Sequence, residues 1–176
     1  VIPTKGVLDS NGAAYSQIFM AGGGSSSSVW GCALSQEQEQ IDCFLPSDSY
    51  ANDGAIPVKG RVLGGYKNIF MAGDSFSPSV WACAVSEDDG GQIDCFLPTD
   101  SYSSDNGLIP IRGSVRGAAP GTYSNLFMAG GNSGSVWGCA VKAIGGIDCF
   151  SPNDSYSNQD GIIPVKGTLS GAAGEY

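Results

Sequence analysis

The chain has 176 residues, a formal net charge of −9 and only 8 lysines and arginines, so it lacks the clustered cations by which proteins bind nucleic acid or anionic membranes. No run of about 18 apolar residues occurs, so insertion into a membrane is not expected. Hydrophobic residues make up 41% of the chain, charged residues 14%, and 27 positions are glycine, a composition typical of a turn-rich, all-β globular protein.

The first element in chain order is a short strand predicted within 1–14, which contains the sequence "IPTKG". The motif returns as "IPVKG", "IPIRG" and "IPVKG", and its proline recurs about every 54 residues. These prolines are Pro3, Pro57, Pro110 and Pro164. The segment between successive motifs occurs three times, so the N-terminal strand duplicates the last element of the repeat. We therefore predict a single domain, 1–176, of three repeats at about 15–65, 66–122 and 123–176.

Each repeat is predicted to form four short strands separated by turns. In the first repeat they are "QIFMAG", "SVWGCAL", "IDCFLP" and "IPVKGRV", separated by segments rich in Gly, Ser, Asp or Asn. Successive side chains are expected to point to opposite faces, as in half-buried strands. The recurring Trp, Phe and Met are predicted to form a core layer, and a stacking platform for a sugar ring is the alternative for the Trp. These residues are Trp30, Trp81, Trp137, Phe19, Phe70, Phe127, Met20, Met71 and Met128.

Six cysteines fall in close pairs, one pair in each repeat. The pairs are Cys32/Cys43, Cys83/Cys95 and Cys139/Cys149. An even count with this spacing predicts three intra-repeat disulfides, each joining the two strands of a hairpin whose tip varies in length. Disulfides form in oxidising compartments, so a secreted, extracellular protein is predicted. Zinc is disfavoured as an alternative because the members of a pair are far apart in sequence and the chain has no histidine.

Four strands in each of three like repeats predict a pseudo-threefold, all-β fold. We expect a β-trefoil, which has four strands per unit and a barrel closed by pairing between units. A β-prism, a propeller-like assembly and a row of tandem small β modules are the alternatives left open. Since a propeller needs at least about four blades, three blade-type units would have to pair with another chain or belong to a longer array.

The loop after each Cys-Phe pair carries the candidate ligand-binding residues. It combines carboxylate, amide and hydroxyl groups with a tyrosine, the set needed to bind a neutral polyol. Turn preference explains the Asp and Gly residues but not a tyrosine at one fixed place. The candidates are Asp48, Tyr50, Asn52, Asp53, Asp100, Tyr102, Asp105, Asn106, Asp154, Tyr156, Asn158 and Asp160. Calcium is the alternative ligand of these carboxylates, but the residue order of an EF-hand is absent, so no metal site is assigned.

An aspartate stands immediately before the second cysteine of each repeat, and a cation stands in each "IPxKG" motif. The aspartates are Asp42, Asp94 and Asp148, and the cations are Lys5, Lys59, Arg112 and Lys166. We expect these two sets to form ion pairs between strands, and exposed pairs of this kind contribute little to stability. The aspartates are kept as secondary candidates for the binding site.

The sequence does not predict an enzyme. Without histidine a Ser-His-Asp or Cys-His arrangement is impossible, and the cysteines are assigned to disulfides. A pair of carboxylates can cleave glycosides, but that chemistry needs two carboxylates in different environments, whereas every candidate here occurs in three near-copies. Triplicated loops suit repeated weak binding instead.

The small, disulfide-linked chain of three repeats resembles the repeat lectins of pseudo-threefold all-β type in architecture. The Gln-x-Trp signature of ricin-type trefoils is absent, since Trp stands in Ser-Val-Trp-Gly/Ala-Cys, so no site residue is transferred from the resemblance. The resemblance implies a secreted, multivalent carbohydrate-binding protein, a lectin or haemagglutinin, with one shallow site per repeat for neutral sugars. The alternative is a structural protein of the extracellular matrix, mucus or a coat. Assembly into a homo-oligomer is left open.

Overall fold

The computed structural model describes residues 4–9, 12–22, 29–35, 37–73, 79–104, 106–116, 123–131, 135–157 and 160–170. The all-β prediction is confirmed within these ranges, where the regular elements are β-strands and short 3₁₀ helices. The strands are β1 (Val7–Leu8), β2 (Gln17–Gly22), β3 (Val29–Ser35), β4 (Gln40–Phe44), β5 (Ala55–Ile56), β6 (Val58–Leu63), β7 (Tyr66–Gly73), β8 (Val80–Ser86), β9 (Ile93–Phe96), β10 (Gly113–Val115), β11 (Tyr123–Gly130), β12 (Val136–Lys142), β13 (Ile147–Phe150) and β14 (Val165–Leu169). The 3₁₀ helices are Pro46–Tyr50, Pro98–Ser103 and Pro152–Ser157. None of the helices described is long and apolar enough to cross a membrane.

The strands form three four-stranded antiparallel sheets that follow one another along the chain. Sheet 1 contains β2, β3, β4 and β6, sheet 2 contains β7 to β10, and sheet 3 contains β11 to β14. The short strands β1 and β5 pair in parallel beside them. The β-trefoil is not confirmed, because the three sheets are open and are not closed into a barrel. Closure of that kind needs strands of different units in one continuous sheet, and here each sheet ends at its own first and last strands.

The two cysteines of each repeat lie directly opposite one another in an antiparallel pair of strands. This register brings their Cα atoms to 4.0–4.1 Å, within disulfide reach. The three predicted disulfides are therefore confirmed, as Cys32–Cys43, Cys83–Cys95 and Cys139–Cys149. Each disulfide joins the strands of a hairpin below its tip, which explains why the tip tolerates changes in length between repeats.

The sheets pack in sequence order through their first strands, so that β7 lies between β2 and β11. A row of phenylalanine rings follows these strands. The ring centroid of Phe70 lies 4.3 Å from that of Phe19 and 5.3 Å from that of Phe127. The row has two ends, and at one end Phe127 keeps 57% of its surface exposed. The core layer predicted from the recurring Trp, Phe and Met is confirmed only in part, because Met20 and Trp137 are also exposed, at 52% and 44%.

Two hydrophobic cores fill the spaces between adjacent sheets, and we call them junction 1–2 and junction 2–3. At junction 1–2, the face of sheet 1 that carries Trp30 packs on the face of sheet 2 that carries Ile69. At junction 2–3, the face of sheet 2 that carries Trp81 packs on the face of sheet 3 that carries Leu126. Trp81 occupies the same repeat position as Trp30, and Leu126 the same position as Ile69. The two junctions are therefore built from equivalent residues.

The "IPxKG" motifs connect each sheet to the next through parallel backbone hydrogen bonds. Arg61 N–H in β6 donates to the carbonyl of Gly107, and Ser114 N–H in β10 donates to the carbonyl of Gly161, both at 2.8 Å. Val7 N–H donates in the same way to the carbonyl of Gly54, also at 2.8 Å. Segment 4–9 therefore makes with the first repeat the same backbone hydrogen bond that β6 makes with the second repeat and β10 with the third.

Three glycines of the motif permit this close approach. A Cβ atom at Gly60 would lie 2.5 Å from the Cβ of Ser101, one at Gly113 would lie 2.8 Å from the Cβ of Ser155, and one at Gly6 would lie 2.6 Å from the Cβ of Ser49. No real Cβ pair approaches so closely, so any side chain at these positions would push the adjacent segments apart.

Candidate functional site

Each candidate loop begins as a 3₁₀ helix that contains the Pro-x-Asp-Ser-Tyr sequence. In the first two repeats proline stands in the first turn, where its missing N–H is not needed and its fixed φ favours the helix. The aspartate then lies in the first turn, and the tyrosine near the end of the helix points to the surface. The exposed fractions are 82% for Tyr50, 64% for Tyr102 and 62% for Tyr156.

Two of these tyrosines contact a tryptophan of the preceding sheet. The ring centroids of Tyr102 and Trp30 are 5.6 Å apart, and those of Tyr156 and Trp81 are 5.7 Å apart, both in edge-on geometry. Trp30 and Trp81 are 2% and 1% exposed, so they are core residues and not platforms for a ligand. The open ring faces belong to the tyrosines, and they lie at the sheet junctions.

The aspartate of each loop forms an ion pair with the cation of the "IPxKG" motif of its own repeat. The distances are 2.8 Å for Asp48–Lys59 and 2.9 Å for Asp154–Lys166. Arg112 donates two hydrogen bonds to Asp100, at 2.6 and 2.7 Å. The expectation that these cations pair with the aspartates before the second cysteines is therefore wrong.

The Asp100–Arg112 pair of sheet 2 acts on Tyr156 of the third repeat. Burial raises the pKa of Tyr156, the positive charge of Arg112 lowers it, and the negative charge of Asp100 raises it. The pair thus lies within electrostatic reach of the tyrosine across junction 2–3. β10 also contacts the 3₁₀ helix Pro152–Ser157. The junction therefore combines an exposed aromatic ring with a carboxylate and a guanidinium.

Four other candidates form the turns that follow the helices. Asn52 Nδ2 donates to the carbonyl of Asp48 at 2.9 Å, and Asp53 has φ of 49°, a left-handed conformation that aspartate tolerates. Asn106 Oδ1 and Asp160 Oδ1 each accept a backbone N–H two residues along the chain, at 3.1 Å. These contacts are typical of turn formation. Asp105 and Asn158 lie outside the described residues.

A Tyr–Asp hydrogen bond in each repeat was not expected from the sequence. The hydroxyl groups of Tyr15, Tyr66 and Tyr123 donate to Asp42, Asp94 and Asp148 at 2.7, 3.2 and 3.0 Å, respectively. The three carboxylates are 1–6% exposed. The signal was present in the sequence, because this tyrosine and this aspartate recur in register. Tyr66 and Tyr123 are buried in the first strands of sheets 2 and 3, whereas Tyr15 is half-buried and lies just before β2. Each tyrosine donates its hydrogen bond to the third strand of its sheet.

The cation near this Tyr–Asp pair differs between the sheets. Arg61 pairs with Asp42 at 3.1 Å, and Lys142 pairs with Asp148 at 2.9 Å. In sheet 2 the position of Lys142 is held by Ser86, and Asp94 accepts hydrogen bonds from Tyr66 and Ser114. Burial raises the pKa of Asp94. Burial acts in the same sense on Asp148, but hydrogen bonds from Lys142, Thr168 and Tyr123 outweigh it and lower the pKa of that carboxyl.

Replacing Asp148 with asparagine is expected to lower the free energy of unfolding by about 1–3 kcal/mol near pH 7, since it removes hydrogen bonds to a charged group. The folded-state pKa of Asp148 is lowered, so its stabilisation is present above the ordinary aspartate pKa and is lost as the pH falls through the folded pKa. The cost of Asp148→Asn should therefore shrink in acid.

Asp94→Asn is the matched control and should show the opposite trend. The pKa of Asp94 is raised in the folded state, so ionisation destabilises the native protein as the pH rises above the ordinary aspartate pKa. The cost of Asp94→Asn should be smaller near pH 7 than in acid. Urea denaturation of both variants and the wild type across this range measures the two trends, and parallel trends would contradict the assignment.

Within the described ranges, no group of three or more Asp, Glu, Cys or His side chains is arranged to hold a metal ion. The loop carboxylates Asp48, Asp100 and Asp154 are instead neutralised by Lys59, Arg112 and Lys166, respectively. What the site offers chemically is hydrogen bonding and ring stacking. In comparisons of the sequence with models of protein families and with curated proteins, no family and no protein matched.

Proposed function

We propose that the protein is a secreted, multivalent carbohydrate-binding protein, a lectin without catalytic activity, whose sites lie at the sheet junctions. The observation that carries this proposal is the repeated exposed tyrosine. Tyr102 and Tyr156 each rest on a buried tryptophan of the preceding sheet, beside an ion-paired carboxylate. Two equivalent sites on one small body favour binding over catalysis, for which one pair of differently tuned carboxylates would be needed.

Neutral sugars fit the chemistry of the junction. A tyrosine face can stack on the apolar face of a pyranose ring, and the neighbouring pair Asp100–Arg112 offers acceptors and donors for adjacent hydroxyl groups. The net charge of −9 opposes binding of sialylated or sulfated glycans. The sites are shallow, so each is expected to be weak. Linked sites on a glycan-covered surface gain avidity by about 10²- to 10⁴-fold.

Secretion is supported by the three disulfides, which persist in oxidising compartments. Of the folds that the sequence left open, we infer the propeller-like one. Its support is a set of open four-stranded sheets, packed in sequence order with their first strands adjacent.

A glycan array probed with the full chain, with and without a chelator, tests the proposal. We expect binding to neutral glycans that the chelator does not change. The double variant Tyr102→Ala/Tyr156→Ala should weaken binding at least tenfold, equivalent to about 1.4 kcal/mol, because both open rings are lost. Tyr50→Ala is the matched control in the monomeric chain: Tyr50 contacts no aromatic ring among the described residues, so its loss should have a smaller effect. No binding across a broad array would contradict the proposal.

A structural role in a matrix, mucus or coat is the second candidate function. The observation that favours it is exposed apolar surface at both ends of the row of sheets, including Ile18 and Trp137. Recovery of the native protein as an insoluble array with no affinity for glycans would support this role.

A further inference from the structure

At each internal junction, the tryptophan-bearing face of one sheet packs on a face of the next sheet. The outer face of sheet 3 and the outer face of sheet 1 are equivalent to these two packing faces, and both are exposed. On sheet 3, the positions equivalent to buried Trp30 and Val62 of sheet 1 are Trp137 and Leu169, which are 44% and 64% exposed. At the internal junctions these positions are at most 2% exposed. Sheet 3 thus presents to the surface the kind of face that sheet 1 and sheet 2 bury against the next sheet.

Sheet 1 presents the complementary face. Ile18 and Val29 are 57% and 42% exposed. Their equivalents on sheets 2 and 3 are fully buried at the junctions: Ile69, Val80, Leu126 and Val136 are all 0% exposed. Tyr50 occupies the same repeat position as Tyr102 and Tyr156, which contact tryptophans. It is the most exposed of the three tyrosines.

Gly167 shows that the backbone of sheet 3 is also uncovered where the equivalent backbone of sheets 1 and 2 is covered. The equivalent glycines Gly60 and Gly113 leave no room for a side chain, because the next sheet lies against them. Among the residues that the structure describes, a Cβ at Gly167 would meet no atom within 4 Å. The position therefore keeps the residue required for close approach, on a strand, β14, that is exposed along its whole length.

We propose that sheet 3 of one copy of the chain docks head-to-tail on sheet 1 of a second copy, by the contacts seen at junctions 1–2 and 2–3. Both halves of the interface belong to the same chain and have the same sequence plan, so a second copy is the partner that fits. A head-to-tail interface closes into a ring when its rotation allows. Two copies bring six sheets together, which lies within the range of about four to eight blades of known propellers, whereas a single copy lies below it.

Docking requires segment 4–9 to detach from β5, with which it now pairs. In the ring, Thr168 of β14 takes the position that Val7 now holds against Gly54 of the partnering sheet 1. β6 and β10 are held by antiparallel strands of their own sheets, β4 and β9. Segment 4–9 pairs only with β5 among the described strands, and a cavity of about 650 Å³ lies beside it. It is therefore less firmly held than β6 and β10.

The proposal does not depend on glycan binding, and its test uses the mass of the full chain in solution. Sedimentation velocity over a concentration series should show the wild type passing from 18.0 kDa to twice that mass. The emission of Trp137, the exposed tryptophan, should shift to shorter wavelength with the same concentration dependence. A wild type that stays at 18.0 kDa with unchanged emission would overturn the proposal.

Two substitutions close one face each without disturbing a buried position. Gly167→Val fills the open space on sheet 3, and Ile18→Lys places a charge on the exposed face of sheet 1. Each variant alone should remain at 18.0 kDa and unfold like the wild-type monomer. Ile144→Ser, which removes an exposed apolar residue at a hairpin tip, is the control for non-specific association and should leave the ring intact.

Mixing the two blocked variants distinguishes head-to-tail docking from other modes. Gly167→Val keeps an intact sheet 1 face and Ile18→Lys keeps an intact sheet 3 face, so the mixture should form one-to-one complexes although neither variant associates alone. Association that survives both substitutions, or a mixture that stays monomeric, would show that a different surface or a like-to-like contact is used and would overturn the proposal.

Discussion

Replacing Trp81 with alanine is expected to lower the free energy of unfolding by about 3–5 kcal/mol. Trp81 is 1% exposed in junction 2–3, where it packs with Leu126 and other residues of sheet 3 and contacts the ring of Tyr156. Its removal leaves a cavity between two sheets that are each held by a disulfide and cannot easily close around it. Urea or guanidinium denaturation followed by circular dichroism measures the loss.

Trp137→Ala is the matched control, since Trp137 holds the same position in the repeat within a nearly identical local sequence, and its packing surroundings differ. Trp137 is 44% exposed and has no following sheet among the described residues, so its loss should cost much less. Both substitutions are best compared in the Gly167→Val background, where association cannot bury Trp137. Equal losses for the two variants would contradict the assignment of the junction as the main source of stability.

Removing the disulfide of sheet 2 with Cys83→Ala/Cys95→Ala is expected to cost about 2–4 kcal/mol. The bond closes a loop with a sequence separation of 12, so its loss frees the unfolded chain. It also removes two sulfur atoms of residues that are 0% exposed in the core. Thermal unfolding of the oxidised wild type and the variant provides the comparison.

Cys139→Ala/Cys149→Ala controls for loop closure, because its sequence separation of 10 is close to that of sheet 2. The entropic part of the loss should therefore be similar in the two variants. The packing part should be smaller in sheet 3, where both cysteines are partly exposed. A larger loss of stability on removing the disulfide of sheet 3 than on removing that of sheet 2 would contradict the deeper burial of Cys83 and Cys95.

The repeat pattern was sufficient to predict the strands and the disulfides, because both depend on contacts within one repeat. Cys83 and Cys95 lie opposite each other in a hairpin, and hairpin register follows from local alternation and turn position. The closure of the fold depends on how separate repeats meet, which alternation within a repeat does not record. The β-trefoil was therefore expected where open sheets are found.

The same limit explains what was missed at the candidate site. Tyr102 was singled out as a residue that turn preference does not explain, but its contact with Trp30 joins two different repeats. Burial differs for the same reason: Trp30 and Trp137 have like neighbours in sequence, yet one is 2% and the other 44% exposed. Whether such a residue is core or surface is decided by the sheet that packs against it.

The sequence alone also did not predict which charged residues form ion pairs with each other. Lys59 follows three aspartates of its repeat along the chain, Asp42, Asp48 and Asp53, and the fold pairs it with Asp48 at 2.8 Å. The strand carries Lys59 and Arg61 two residues apart, and it is Arg61 that reaches Asp42. Charge type and spacing allow several pairings, and the hydrogen-bond register of the sheet selects one.

The number of sugar-binding sites in a monomeric chain distinguishes sites at the sheet junctions from sites in the loops alone. If the sites belong to the sheet junctions, calorimetric titration of the Gly167→Val chain with the monosaccharide that binds best on the array should give two sites, one at each internal Tyr–Trp contact. If the sites belong to the loops alone, Tyr50 supplies a further equivalent site, and three sites per chain would contradict the placement of the sites at the junctions.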